Sequence, residues 1–357
     1  MNSKLDFLFS LGRPLSPVYA SLMALRAFLY RKNILKIHSL PVPVISIGNL
    51  TMGGSGKTPV IQWLAKHLQK EGYRPAVISR GYRGKAGNKV NIVSDGKKVH
   101  LNQHEAGDEP YMLACSLDGI PVITGKKRIH PCQYAVNELN VDIILLDDGF
   151  QHMAVKRQLD LVLFNATTLA GNSRVFPGGE LREPVQALKR CSGFMITGIS
   201  DDNKNRADRF SELLSTRFPD KPVFQTYLTG IEIISADDNR VVSDPTSLDS
   251  VFAFCAIANP TRFRHTIEQT GILLTSFKTF RDHSRYDGQR LNCLCQSAQN
   301  TGATSLLTTE KDFVKIADQQ LPLPLYVLRI RLEPEEGFKK FILDTVSSGK
   351  NPEQVET

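Results

Sequence analysis

The sequence predicts an α/β protein: a mostly parallel sheet with helices on both faces, a second, smaller α/β domain, and an N-terminal amphipathic helix. Apolar runs rich in β-branched residues alternate with helical patterns, as is typical of a covered parallel sheet. A chain of 357 residues suits two domains. We expect a helical region at 1–40, a core at 41–225 and a smaller domain at 226–357. A hairpin is expected at 89–101.

The composition indicates a globular protein kept in a reducing compartment. Apolar residues make up 41% of the chain, and the net charge is +8. The six cysteines include no C-x-x-C pair and have no histidine nearby at zinc-ligand spacing. The sequence therefore predicts buried or half-exposed thiols, and neither a disulfide framework nor a zinc site.

An anion-binding loop is predicted between an apolar β-type run at 41–47 and the helical pattern that follows. Its residues are Thr51, Met52, Gly53, Gly54, Ser55, Gly56, Lys57 and Thr58. Glycine allows positive φ and close approach, so successive N–H groups can point at one anion. In P-loop NTPases, the lysine binds the β- and γ-phosphates and the threonine hydroxyl binds Mg²⁺. The match is imperfect, because Thr51 stands where the first glycine is expected.

Carboxylates follow an apolar strand pattern at 141–146. Asp147 and Asp148 at the end of such a strand can hold the metal of a nucleotide site, although a polar turn would also explain them. A second acidic pair, Asp108 and Glu109, precedes Pro110. By itself this second pair is more typical of a helix start than of a functional site.

Other polar residues follow later strand patterns. His283, directly after Asp282, is the best candidate for proton chemistry in the second half, although a histidine in a polar loop is often merely solvated. Arg182 and Glu183 form either a ligand clamp or a surface pair, and composition does not decide between them.

The N-terminal region predicts an amphipathic helix at 14–31. Ser16 is expected to be its N-cap, with Pro17 at the first helical position. The apolar stretch is interrupted by Arg26 and is too short to cross a bilayer, and no signal-peptide cleavage site follows. Basic residues dominate here, since Asp6 is the only acid before residue 71. The helix either packs on its own domain or lies in a membrane interface.

Taken together, these motifs resemble the tetraacyldisaccharide 4′-kinase family. The resemblance runs in order along nearly the whole chain. It is carried by Gly48-Asn49-Leu50-Thr51-x-Gly53-Gly54-x-Gly56-Lys57-Thr58-Pro59, Ser79-Arg80-Gly81-Tyr82, Gly107-Asp108-Glu109-Pro110, Asp147-Asp148-Gly149-Phe150-Gln151-His152, Leu181-Arg182-Glu183-Pro184, Asn259-Pro260, Asp282-His283 and Thr309-Glu310-Lys311-Asp312.

The resemblance implies a P-loop kinase with ATP and Mg²⁺ as cofactors. Its acceptor would be the 4′-hydroxyl of a tetraacylated disaccharide 1-phosphate in lipid A biosynthesis. The enzyme would work as a peripheral protein on the cytoplasmic face of the bacterial inner membrane, with the N-terminal helix on the lipid. The active site would lie in a cleft between the two domains. Neither a nucleic-acid partner nor an obligate protein partner is implied.

Residue roles follow from the same resemblance. Lys57 and Asp148 would be catalytic, together with the pair Asp108 and His283, in which a carboxylate helped by an imidazole takes the proton of the attacking hydroxyl. The metal ligands would be Thr58, Asp147, Asp148 and Glu109. The substrate contacts would be Tyr82, Arg182 and Glu183.

Two other classes of protein are less well supported. A partitioning-type ATPase would carry lysine where Met52 stands, and a GTPase would need Asn-Lys-x-Asp, which neither 203–206 nor 309–312 supplies. A kinase acting on a soluble metabolite would have no use for the basic, apolar N-terminus.

Overall fold

A computed structural model describes residues 3–238, 240–257, 259–282 and 284–348. The strands are β1 (Val44–Asn49), β2 (Pro75–Ser79), β3 (Asn91–Ser94), β4 (Val122–Thr124), β5 (Ile143–Asp147), β6 (Leu159–Asn165), β7 (Gly193–Ile199), β8 (Val223–Ser235), β9 (Val251–Cys255), β10 (Leu274–Thr279), β11 (Ser305–Thr309) and β12 (Leu325–Pro334). The helices are α1 (Ser3–Gly12), α2 (Ser16–Arg31), α3 (Lys57–Lys70), α4 (Gln103–Ala106), α5 (Asp108–Ser116), α6 (Ile129–Glu138), α7 (Lys204–Arg217), α8 (Pro260–Gln269), α9 (Gly288–Asn300), α10 (Glu310–Phe313) and α11 (Glu336–Ser348), with short 3₁₀ segments at Arg13–Leu15, Val185–Arg190 and Pro245–Ser247.

The strands of the described residues join in one twelve-stranded sheet, in the order β10-β9-β11-β12-β8-β7-β6-β1-β5-β2-β4-β3. Neighbours are parallel except for the pairs β8/β12 and β3/β4. The predicted α/β class with a mostly parallel sheet is confirmed.

The central strands are buried on both faces, which explains their continuous apolar sequences. In β5, Ile143 and Leu145 pack into the cluster formed with α3 and α5. Ile144 and Leu146 point the other way, into the cluster formed with α6. Because side chains alternate along a strand, one short run supplies two cores.

The sheet has two parts. The first part contains β1 to β8, the second contains β9 to β12, and the antiparallel pair of β8 and β12 joins them. Strand β8 runs through residue 226, where the domain boundary was expected, and that boundary remains a prediction. The last helix, α11, packs back on the first part: the Phe338 ring lies 5.8 Å from Trp63 of α3 and 5.2 Å from Phe224 of β8.

The expected hairpin at 89–101 is only partly formed. Asp95 closes the turn by accepting hydrogen bonds from the N–H groups of Lys97 and Lys98, each at 2.8 Å. The return segment makes one isolated bridge, from Val99 to Ser94, whereas β3 pairs with β4. The apolar strand β4 offers a longer ladder than a short, charged return strand does.

The predicted N-cap role of Ser16 is wrong, because Leu15 occupies the cap position of α2 and Ser16 has helical backbone angles. The Ser16 hydroxyl instead donates to the Val175 carbonyl at 2.9 Å and accepts from the Gly178 N–H at 2.8 Å. Ser16 therefore bonds to the distant loop at 175–178 and not to the N–H groups of its own helix.

Candidate active site

The glycine-rich loop lies between β1 and α3, at the carboxyl end of the central strands. Gly53 and Gly56 have φ of 116° and 75°, which disfavours any side chain at either position. A Cβ on Gly56 would also lie 2.9 Å from the Thr197 hydroxyl. The Met52 N–H donates to the Glu180 carbonyl at 2.7 Å, so the amides free to face an anion begin after Met52.

Two residues outside the predicted loop hold it in shape. The Asn49 side chain donates to the Thr51 carbonyl at 2.7 Å, and its oxygen accepts from Lys57 Nζ at 3.2 Å. The Thr197 hydroxyl donates to the Ser55 carbonyl at 2.8 Å. Sequence reasoning assigned neither residue a role. The only sequence signal for either residue is that Asn49 lies in the motif that begins at Gly48 and leads into the loop.

Lys57 and Asp148 meet directly. The Lys57 ammonium lies 3.4 Å from one Asp148 oxygen, and Arg182 donates to both Asp148 oxygens at 2.7 and 3.0 Å. Asp148 has a positive φ of 49°, directly after the last residue of β5. The structure thus brings the predicted loop lysine, the strand-end acid and Arg182 into one cluster.

Asp147 is more deeply buried than Asp148 and has different partners. It is buried at the end of β5 and accepts a hydrogen bond from the Ser79 hydroxyl at 2.9 Å. Burial, followed by the negative charges of Glu109 and Asp148, raises the pKa of Asp147. Burial would also raise the pKa of Asp148, but the ion pairs with Lys57 and Arg182 outweigh it and lower that pKa.

Asp108 and Glu109 begin helix α5. The N-cap is Gly107, whose φ is 91°, and Asp108 occupies the first turn, where Gln103 Nε2 donates to it at 2.7 Å. A Cβ on Gly107 would lie 2.4 Å from the Tyr82 carbonyl oxygen, so this glycine lets the two loops pack together. The Tyr82 side chain is exposed.

Arg182 and Glu183 do not form the surface pair considered from sequence, and the alternative of a ligand clamp stays a prediction. Arg182 binds Asp148, whereas Glu183 is buried and accepts two hydrogen bonds of 2.9 Å from Arg190. The Arg190 guanidinium also lies 3.8 Å from the centre of the Phe150 ring. Glu183 thus takes part in a separate ion pair, on the wall of a cavity beneath α2.

His283 lies outside the described residues. Its neighbour Asp282 accepts a hydrogen bond from Lys311 Nζ at 2.9 Å.

A basic cluster that the sequence did not predict surrounds His152. Burial, then the charges of Arg128, Arg157, Arg26 and Arg80, lower the pKa of His152 to about 4. Burial also lowers the pKa of Arg128, and the nearby Asp147 partly offsets this. The four arginines are far apart in the chain, so their meeting depends on the fold.

Helix α2 is attached to the site on one side and exposed on the other. The Tyr19 hydroxyl donates to the Arg182 carbonyl and the Arg26 guanidinium to the Gln151 carbonyl, both at 3.1 Å. The helix also covers a cavity of about 990 Å³.

An apolar stripe on α1, α2 and the segments next to them is exposed, and it consists of Phe7, Leu8, Leu11, Leu15, Val18, Leu22, Leu25, Phe28, Ile34 and Ile37. Among the described helices, none combines the length and hydropathy needed to cross a bilayer.

Comparison with known proteins gives one consistent family. The curated tetraacyldisaccharide 4′-kinase of Desulfotalea psychrophila is 50% identical over 345 residues, covering 97% of this chain and 99% of the relative. That of Syntrophus aciditrophicus is 36% identical over 92% of this chain and 90% of the relative. The solved "apo" form of LpxK from Aquifex aeolicus in complex with ATP matches with a TM-score of 0.74 and 29% identity, covering 93% of this chain and 98% of that one.

The family model for tetraacyldisaccharide-1-P 4′-kinase matches residues 8–347. That match spans both parts of the sheet, the glycine-rich loop and the clustered acids. The chain therefore belongs to the tetraacyldisaccharide-1-P 4′-kinase family.

Proposed function

We propose that this chain transfers the γ-phosphoryl group of ATP to the 4′-hydroxyl of a tetraacylated disaccharide 1-phosphate. The contact between Lys57 and Asp148, with Arg182 on the same carboxylate, is the observation that carries the proposal. This contact places the lysine of the glycine-rich loop next to the acidic residue that follows β5. Phosphoryl transfer depends mainly on such alignment and charge neutralisation.

The residues at this point fit Mg²⁺. Asp147 and Asp148 are adjacent acids at the end of β5, and the negative charges of Glu109 and Asp148 add to the burial that raises the pKa of Asp147; a divalent cation at this point would offset those charges. No group of three or more acidic, histidine or cysteine side chains in the described residues forms a ready-made metal site. This agrees with Mg²⁺, which is usually held by one or two carboxylates, substrate phosphates and water.

In this proposal each residue has a defined task. Lys57 and the loop amides would bind the phosphates, Thr58 and Asp147 would hold the Mg²⁺, which would supply charge neutralisation, and Asp148 orients Lys57. Asp108, assisted by His283, accepts the proton of the 4′-hydroxyl as its oxygen bonds to the γ-phosphorus and ADP leaves. The basic cluster around His152 would attract the anionic disaccharide.

The exposed stripe supports work at a membrane surface. Apolar side chains on one face of a helix, flanked by Arg31, Lys32 and Lys36, are suited to the interface of anionic lipids. The N-terminal helices would lie on the cytoplasmic side of the inner membrane, where the lipid acceptor is available, without spanning it.

A direct assay tests the function. Radiolabelled ATP, Mg²⁺ and a tetraacylated disaccharide 1-phosphate should yield a labelled, doubly phosphorylated glycolipid. Release of free phosphate without a labelled lipid would instead indicate an ATPase, and transfer to a soluble sugar alone would indicate a metabolite kinase.

Asp108→Asn should lower kcat by about 100-fold or more, because removing a general base costs about 10²–10⁴ in rate, while ATP affinity stays close to that of the wild type. His283→Ala should act in the same direction. Single-turnover kinetics and ATP titration separate the two effects. Near-wild-type turnover of both variants would exclude the proposed catalytic pair.

Asn49→Ala should weaken ATP binding by about tenfold, since the loop loses the hydrogen bond from Asn49 to the Thr51 carbonyl and a buried polar group left without its partner costs about 1–3 kcal/mol. Calorimetry gives the affinity. The matched control is Asn91→Ala, which removes a buried asparagine from the edge strand β3. Equal affinities of the two variants would contradict a role for Asn49 in shaping the loop.

Leu15→Glu combined with Leu22→Glu should release the protein from vesicles that contain anionic lipid. These side chains are 62% and 55% exposed, so the fold should tolerate the change. Two lost apolar anchors should reduce binding at least about tenfold, since a buried leucine contributes about 1.5–3 kcal/mol. Leu213→Glu on α7, at a position that is 56% exposed, is the control. Unchanged vesicle flotation of the double variant would refute the interface assignment.

A further inference from the structure

The Asn259-Pro260 motif begins helix α8, and the proposed chemistry does not use it. Asn259 is the N-cap of the helix, and its side-chain oxygen accepts from the Arg262 N–H at 3.1 Å. Pro260 occupies the first helical position, where a missing N–H loses no helical hydrogen bond. The motif therefore fixes the first turn of α8, which carries the Arg262 side chain.

The Arg262 guanidinium is partly buried without a counter-charge. It has neither an ion pair nor a side-chain hydrogen bond with any residue that the structure describes, whereas Arg264 on the same helix pairs with Glu268 at 2.9 Å. Burial lowers the pKa of the Arg262 guanidinium, and no carboxylate of the described residues offsets this effect. An arginine removed from water is normally paired with an anion. Arg262 therefore has donors available for the oxygens of an anionic ligand.

The guanidinium reaches the end of β7, in the first part of the sheet. Gly198 has a φ of 72° there and lies at a register shift between β7 and β8. A Cβ on Gly198 would collide with Arg262 Nη1 and lie 3.1 Å from Nη2, so the glycine makes room for the arginine. Three residues further along α8, His265 Nε2 lies 4.0 Å from Asp202, in the loop after β7. Helix α8 therefore lies against this end of β7.

The end of β7 is next to the glycine-rich loop. The hydroxyl of Thr197, the residue before Gly198, donates to the Ser55 carbonyl at 2.8 Å. A Cβ on Gly56 would lie 2.9 Å from the same hydroxyl oxygen. Arg262 thus contacts the residue adjacent to the one that supports the loop.

The sheet order indicates which end of a nucleotide would lie there. Strand β5, which leads into the acids, is on one side of β1, and β6 and β7 are on the other. The terminal phosphates and Mg²⁺ belong on the β5 side, where Lys57 meets Asp148. A nucleotide in the loop would therefore direct its nucleoside end over the ends of β6 and β7, on the side that Arg262 reaches.

We propose that Arg262 is a nucleotide-binding residue whose guanidinium donates hydrogen bonds to oxygens at the nucleoside end of ATP, namely those of the α-phosphate and the ribose. Both parts of the sheet then hold the nucleotide, since the glycine-rich loop binds the terminal phosphates and α8 binds the other end. The inference rests on the proposed ATP-dependent function.

The test measures the affinities of the full-length protein for ATP and for ADP by calorimetry. Arg262→Met removes the donors and keeps a long apolar side chain. Arg264→Met removes the same charge from the same helix, at a position where the side chain is 59% exposed, and is the matched control. Arg262→Lys keeps the charge and loses the forked pair of donors.

We expect Arg262→Met to bind both ATP and ADP about tenfold more weakly than Arg264→Met does, because hydrogen bonds between charged groups are lost. The two losses should be equal, since both nucleotides contain the α-phosphate and the ribose. Arg262→Lys should lie between the wild type and Arg262→Met. The thermal midpoint of ligand-free Arg262→Met should be no lower than that of Arg264→Met, because removing an unpaired charge breaks no ion pair.

Three results would overturn the inference and leave the proposed function intact, given a wild type that binds ATP. One is equal nucleotide affinities of Arg262→Met and Arg264→Met. Another is a loss of affinity for ATP alone, which would place Arg262 at the γ-phosphate. The third is a thermal midpoint of ligand-free Arg262→Met well below that of the control, which would indicate a structural role. Failure of the wild type to bind ATP would instead overturn the proposed function, and this inference with it.

Discussion

The site depends on the shared carboxylate of Asp148. Its two cationic partners come from different parts of the chain: Lys57 begins helix α3, and Arg182 follows a loop that bridges to Thr51. A carboxylate held by two cations stays ionised although it is partly buried, which agrees with its lowered pKa. Because Lys57 is already paired with oxygens of Asp148 and Asn49, a bound phosphate would replace partners in a preformed arrangement.

The sheet topology explains why the acids converge. Strands β1, β5 and β2 are adjacent and parallel, so their carboxyl ends lie at one edge. Ser79 at the end of β2 reaches Asp147 at the end of β5, next to the loop that follows β1. Burial, and after it the charges of Glu109 and Asp148, raise the pKa of Asp147, so a cation bound beside these carboxylates would stabilise their ionised forms. The same arrangement suits a site that binds its metal together with the nucleotide.

Helix α2 links the proposed membrane surface to residues beside the candidate site. Tyr19 is bonded to the backbone of Arg182, and Arg26 to the backbone of Gln151, one residue before His152. The opposite side of the helix presents the exposed apolar stripe. A lipid held against this helix would therefore bring its headgroup close to the basic cluster and to the Lys57–Asp148 contact, which is the arrangement a kinase needs for an acceptor that does not leave the bilayer.

The sequence by itself determined the features that depend on neighbouring residues: the α/β class, the glycine-rich loop with Lys57 and Thr58, and the acids at the end of β5. Glycines that allow positive φ and continuous apolar runs typical of buried strands are both visible within a single stretch of sequence. Only the tertiary structure decided the partners of residues distant in the chain. It paired Glu183 with Arg190, gave Ser16 a loop to bind instead of a helix end, gathered arginines around His152, and packed α11 on α3. Such contacts depend on which strands become neighbours, and local spacing carries no information about that choice.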